Sequence, residues 1–260
     1  MDQKLAYYEI KDQVAIVTMD HPPMNALDAA TKEAVAEVFR ELDERRQEIR
    51  VVILHGAGEK AFAAGADIKT FLELTPDTAR RRLFRSHQIY SIVENFQWPV
   101  IGAIHGFCLG GGLELALCCD IRYAEETARF GFPEVNLSVF PGNGGIARSL
   151  FHLSLGKLKE LVFTGEIISA TDALALGLIE KIVSPGKSME ACFSLAERMI
   201  EKGPLGIAAA KKVINRARDL SIPQGLELET ELWANLTATE DMKEGARAFI
   251  EKRKPQYRGR

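Results

Sequence analysis

The chain has 260 residues, enough to bury about three quarters of its unfolded surface and to fold without disulfides or metal. Its 33 Lys and Arg against 36 Asp and Glu give a net charge of −3, which argues against a dedicated nucleic-acid or membrane-surface protein and leaves any substrate field to be local. Four cysteines (Cys108, Cys118, Cys119, Cys192) form no CxxC pair and have no histidine at metal-ligand spacing, so reduced thiols, no metal site and a cytoplasmic setting are expected. The start, MDQKLAYYEIKDQ, has no basic segment followed by an apolar one, and no run of 18 apolar residues occurs, so neither a signal peptide nor a membrane span is expected.

In chain order, Val14 to Met19 reads as a strand, and HPPMNALD after it is dense in turn residues. Asp28 is a good N-cap for a helix from Ala29 to about Glu48, with Ala34, Val35, Val38, Phe39 and Leu42 at helical spacing. Val51 to Leu54 is a short buried strand. Strand, helix and strand in that order favour a right-handed crossover and a largely parallel sheet. The loop HGAGEKAFAAGADIKTF is rich in small residues. It is either a plain surface turn or a place where backbone amides can approach a ligand, and it is not a P-loop.

Thr78 to Phe96 reads as a helix carrying Arg80, Arg81, Arg82 and Arg85, a solvated face or an offer of positive charge to phosphates. The segment from Trp98 to Asp120, WPVIGAIHGFCLGGGLELALCCD, begins as a strand apolar on both faces and ends as a short helix. Between them Gly110, Gly111 and Gly112 allow close approach of the backbone, and the unpaired amides at the helix start suit an oxyanion or a carbonyl oxygen. Glu114 follows among Leu113, Leu115 and Leu117, so its carboxylate is expected to be buried. On this stretch alone it either complements the helix dipole or serves catalysis.

Ile121 to Ala124 reads as a strand. A second carboxylate, Glu134, then sits among Phe132, Pro133, Val135 and Leu137. Pro141 to Gly145 form a tight turn opening a helix at about Ile146; Leu158 to Phe163 is helical, Ser169 caps ATDALALGLI, Gly177 closes it, and Ile179 to Val183 is a last strand. Helices are expected over Ala191 to Ile200, Leu205 to Arg216, Gln224 to Leu236 and Asp241 to Glu251. With no strand after them, residues 188–260 read as a helical region apart from a core at 1–187.

AFAAGADI at Ala61 to Ile68, IGAIHGFCLGGGLELALCCDIRYA at Ile101 to Ala124 and FGFPEVNLSVFPGNGG at Phe130 to Gly145 together resemble the enoyl-coenzyme A hydratase/isomerase (crotonase) family. PPMNAL, TGEIISATDALALGLIEKIV and AFIEKRKP are similar to further family segments, so the resemblance covers nearly the whole chain. It implies an α/β fold, the crotonase (ClpP-like) spiral of ββα units with a C-terminal helical trimerisation region, assembled as a homotrimer or a dimer of trimers. It also implies acyl-coenzyme A thioester substrates, an oxyanion hole at Ala66 and Gly111, coenzyme A contacts from Ala66, Asp67, Ile68 and Lys69, and contacts from Phe249 and Lys252 across a subunit boundary.

Hydratases of the family carry two glutamates, and this chain has both at Glu114 and Glu134. The resemblance thus implies reversible syn addition of water to a 2-enoyl thioester, giving a 3-hydroxyacyl thioester. Coenzyme A enters as part of the substrate and no cofactor is implied. Double-bond isomerisation or a specialised dehydration is the alternative within the family. RNA binding, known in some members, is a remote alternative resting on the basic tail at Lys252 to Lys254. One departure is visible: Ile146 and Ala147 precede Arg148 where close hydratases carry Thr-Gln-Arg, which leaves acyl-chain preference open.

Overall fold

The computed structural model describes residues 4–65 and 68–260, with the side chains of Ile68 and Lys69 outside the description. Two strands open the chain: β1 (Ala6–Lys11) and β2 (Val14–Met19) pair antiparallel across Asp12 and Gln13. Both turn residues have positive φ, 48° and 66°, as a tight hairpin matched to strand twist requires. The turn lacks the Asn-Gly signature, and β1 is absent from the elements expected above.

Helix α1 (Ala29–Glu44) starts as expected, with the Asp28 carboxylate accepting from the Thr31 amide at 2.7 Å, but ends at Arg45, short of Glu48. Strand β3 (Val51–Gly56) then pairs parallel with β2. A three-residue strand, β4 (Ala61–Ala63), interrupts the expected loop, and a 3₁₀ turn (Ile68–Glu73) leads to α2 (Pro76–Glu94), entered through a Thr75–Thr78 capping box. Strand β5 (Val100–Ile104), β6 (Phe107–Leu109), the six-residue α3 (Gly111–Ala116), β7 (Ile121–Glu125) and β8 (Arg129–Gly131) follow. A second 3₁₀ turn (Pro133–Leu137), α4 (Gly145–Ser149), α5 (Leu155–Thr164), β9 (Ile167–Ser169), α6 (Ala170–Ala175) and β10 (Lys181–Val183) complete the mixed part. Helices α7 (Ser188–Ile200), α8 (Pro204–Ala217), α9 (Ile222–Leu236) and α10 (Glu240–Ile250) close the chain.

The strands form two sheets, β1-β2-β3-β5-β7-β10 and β4-β6-β8-β9. The larger is parallel from β2 to β10 and is covered on both faces, which is why its strands read as unbroken apolar runs. Val52, Leu54, Val100 and Ile104 face the main core with Phe39 and Leu42 of α1, whereas Val51, Ile53, Ile101 and Ala103 face Cys192 and Ala196 of α7. The period-two alternation thus assigns one helix layer to each face. All four cysteines are buried free thiols; burial pushes Cys119 and Cys192 up to about 12.

The smaller sheet positions the candidate site residues. Strands β4, β6 and β8 are parallel neighbours, so their carboxyl ends point the same way. From those ends leave, in turn, the Ala64–Gly65 loop, the Gly110–Gly111 start of α3, and the 3₁₀ turn that carries Glu134.

Candidate active site

Gly112 decides how near α3 stands to β4. A Cβ there would lie 1.9 Å from the Ala63 carbonyl oxygen, so only glycine allows the helix to sit directly against the strand. Asn25 fixes the other side of β4: its amide donates to the Ala57 and Ala61 carbonyls at 2.9 and 2.8 Å, and the Met24 carbonyl accepts from the Ala64 amide. The PPMNAL turn therefore serves as a brace for the loop leaving β4. Ala66 and Asp67, expected in that loop as oxyanion and coenzyme A contacts, lie outside the described residues, as do the side chains of Ile68 and Lys69.

Gly111 is the first residue of α3, so its amide has no acceptor within the helix. Its carbonyl accepts the hydroxyl hydrogen of Tyr90, a fully buried residue of α2, at 3.0 Å. Tyr90 thereby holds the start of α3 in place, a role that its apolar helical setting did not reveal in the sequence.

Glu114, one turn further, is completely buried, as its apolar flanks predict. Three N–H groups converge on it. Oε1 accepts from the Asn143 and Gly145 amides at 2.7 and 3.0 Å, and Oε2 accepts from Asn143 Nδ2 at 2.6 Å. A carboxylate has about four acceptor sites, so one lone pair of Oε2 is left over. That oxygen faces Gly111, at 3.9 Å from where a Cβ on that residue would stand.

The donors belong to the turn that opens α4. Arg148 braces it by giving one hydrogen bond to the Asn143 carbonyl and pairing with Glu94 at 2.8 Å, a partner that Arg218, just past α8, shares. The sequence marks Pro141–Gly145 as a turn but not Asn143 as a site residue. The available signal was chemical: a buried carboxylate must find donors, and an amide side chain among glycines can supply them.

Glu134 comes from the far end of β8 and is half-buried. Its Oε1 lies against Gly110, 2.9 Å from the position of a Cβ there, while Oε2 is buried without a hydrogen-bond partner. Burial raises this carboxyl from 4.5 to about 7, with the nearby charge of Glu114 adding to the rise and its own backbone amide opposing it. Two carboxyls thus flank the Gly110–Gly111 peptide. One is an acceptor saturated but for a single lone pair, the other a group that still carries much of its proton at neutral pH.

A family model for enoyl-CoA hydratase/isomerase matches residues 9–260. The chain belongs to that family. The short-chain-enoyl-CoA hydratase of Clostridium acetobutylicum is 39% identical over 247 residues, 95% of this chain and 94% of that protein. The crotonyl-CoA hydratase of Syntrophomonas wolfei is 34% identical over 96% of both. Among solved structures, the enoyl-CoA hydratase of Bacillus anthracis superposes with a TM-score of 0.93 at 35% identity, covering 98% of this chain and all of that one. The expected crotonase fold is therefore the fold of this chain.

Other expected site residues of the family pattern stand elsewhere. Phe249 is in the last turn of α10 and 86% exposed, and Lys252 follows that helix. The arginines of α2 form an exposed face with partners: Arg85 meets Glu33 through two hydrogen bonds, Arg81 pairs with Asp77, and Arg82 donates to Thr70. Among the described residues no cluster of His, Cys, Asp and Glu is placed to hold a metal ion, and no helix is long and apolar enough to cross a membrane.

Proposed function

We propose that this chain is an enoyl-CoA hydratase, adding water reversibly across a 2-trans-enoyl thioester to give a 3-hydroxyacyl thioester. The observation that carries the reading is the placement, on either side of Gly110–Gly111, of Glu114, which accepts three N–H hydrogen bonds, and Glu134, which burial raises to about 7. The thioester carbonyl accepts from the Gly111 amide and from that of Ala66, so charge developing on the oxygen in the enolate is stabilised by about 3 kcal/mol per donor. A water accepted by the free lone pair of Glu114 Oε2 gives its proton to that carboxylate as its oxygen bonds to C3. The electron pair of the double bond then takes a proton at C2 from Glu134. The hydroxyl oxygen at C3 and the proton at C2 arrive from one face, which gives syn addition, and the two carboxyls have exchanged protonation states, to be reset through solvent. Dehydration runs the same steps backwards. No step calls for a cofactor beyond the coenzyme A of the substrate.

The test is loss of absorbance of the conjugated thioester when the protein is mixed with crotonyl-CoA. Glu114→Gln and Glu134→Gln are each expected to lower kcat by ~10²-fold or more while thioester binding persists. Near-normal turnover in either variant overturns the paired mechanism. Isomerisation of a 3-enoyl thioester, the alternative within the family, needs no water; retention of it in Glu114→Gln would move the reading there.

Self-association through residues 188–260 belongs to the same proposal. Trp233 and Ile214, 71% and 67% exposed, line one groove between α8 and α9, and Ile222 at the start of α9 is 79% exposed; exposed apolar patches mark interaction surfaces.

A further inference from the structure

Lys32, on the second turn of α1, is buried, only 5% exposed, and no motif of the sequence accounts for it. Its ammonium donates to Ser86 Oγ at 3.0 Å and approaches Asn143 Oδ1 at 3.5 Å; Ser86, on α2, is itself buried. Among the described residues no carboxylate stands within ion-pair distance, an arrangement that is costly for a charge unless it serves something. Glu114 is reached through one intervening side chain: Asn143 presents Oδ1 to Lys32 and Nδ2 to Glu114.

An amide side chain can stand either way round, and only its neighbours choose. An ammonium, which has donors and no acceptor, demands the oxygen. Glu114 Oε2, at 2.6 Å, then receives the NH₂ group. Reversed, the amide would put its oxygen against a carboxylate oxygen and its hydrogens against a cation, two repulsive contacts in a buried site.

We infer that Lys32 is a positioning residue for the hydration reaction, fixing the orientation of the Asn143 amide and through it the aim of the Glu114 carboxylate at the attacking water. The groups facing Lys32 support a charged form at neutral pH. Burial and then Arg82 of α2 lower it from 10.5 to about 8, while Glu114 of α3 and Asp28 at the head of α1 oppose the fall. The Tyr90 ring, 5.9 Å away, adds a favourable face to the cation.

The inference rests on the hydratase reading, and a double-mutant cycle with crotonyl-CoA at pH 7 tests it. Lys32→Met is expected to lower kcat about tenfold with little change in KM, the factor that ~1.4 kcal/mol of lost alignment represents. Asn143→Ala is expected to lower it further, and Lys32→Met combined with Asn143→Ala to be no slower than Asn143→Ala alone, because Lys32 acts only through that amide. Additive losses, a rise in KM without a fall in kcat, or an unchanged kcat in Lys32→Met overturns it. If Lys32→Met unfolds too readily to assay, Lys32→Gln, whose amide carries an acceptor as well as donors and so no longer demands the Asn143 oxygen, carries the same expectation and the same refutation. A wild-type protein that leaves crotonyl-CoA untouched overturns the hydratase reading and this inference with it, whereas active wild type with an indifferent Lys32 overturns the inference alone.

Discussion

Replacing Gly112 by alanine puts a methyl group 1.9 Å from the Ala63 carbonyl oxygen and 2.6 Å from its carbon. Both are backbone atoms of β4, which is paired to β6, so no side chain can swing away to make room. To reach the 3.4 Å of an ordinary contact α3 must retreat by roughly 1.5 Å, a displacement of the overpacking kind that costs about 1–3 kcal/mol. For a chain of this size that lowers Tm by about 5 °C. The retreat also carries Gly111 and Glu114 away from the loop that leaves β4, and a misplacement of ~1 Å between groups that must act together costs ~10²-fold in rate. Thermal unfolding and crotonyl-CoA turnover on the same preparation check both halves. A Gly112→Ala protein with unchanged Tm and unchanged kcat would refute the close-approach argument; lost stability with full activity would show that α3 moves without disturbing the reacting groups.

The pH dependence follows from Glu134. Its folded value, about 7, lies above the 4.5 of the free group, so its contribution to stability is fully present below 4.5 and is lost as pH rises through 7. Glu134→Gln should therefore gain on the wild type in denaturant stability across that window, and a constant difference from pH 4.5 to 8 would show that Glu134 titrates normally. Lys211→Met strands Asp120, which Lys211 Nζ meets at 2.7 Å in a largely buried pair, and is expected to cost about 3–5 kcal/mol in urea unfolding. The wild type should sediment as a multiple of 28.8 kDa, and Trp233→Asp should shift it towards that single-chain mass.

The centre of the larger sheet is legible because β2, β3 and β5 are apolar on both faces: Val14–Met19 is expected to the residue, and Asp28 and Ala29 mark the start of α1, whereas β1, buried on one face only, is not in the expected set. The smaller sheet is not legible. Strands of three residues such as Ala61–Ala63, Phe107–Leu109, Arg129–Gly131 and Ile167–Ser169 carry no measurable period, and their pairing partners are distant in sequence. Glu114 and Glu134 stood out as carboxyls in apolar company. Asn143 and Tyr90 did not, since a turn asparagine and a helical tyrosine are ordinary residues until the turn and the helix are seen to meet Glu114 and Gly111. Lys32 was hidden for the same reason: on its helix it is one lysine among other charged residues, and its burial appears only when α2 is laid against α1.

The smaller sheet has one more implication, for divergence rather than for catalysis. Because β4, β6 and β8 each deliver their chain to the site at a separate exit, the groups gathered there come from three separate segments. Under the proposed hydration, exchanging the acid on the segment after β8 would change the proton donor while leaving in place the amide of Gly111 that is proposed to hold the thioester oxygen. On that reading the reaction can change at one loop while the proposed grip on the thioester stays at another.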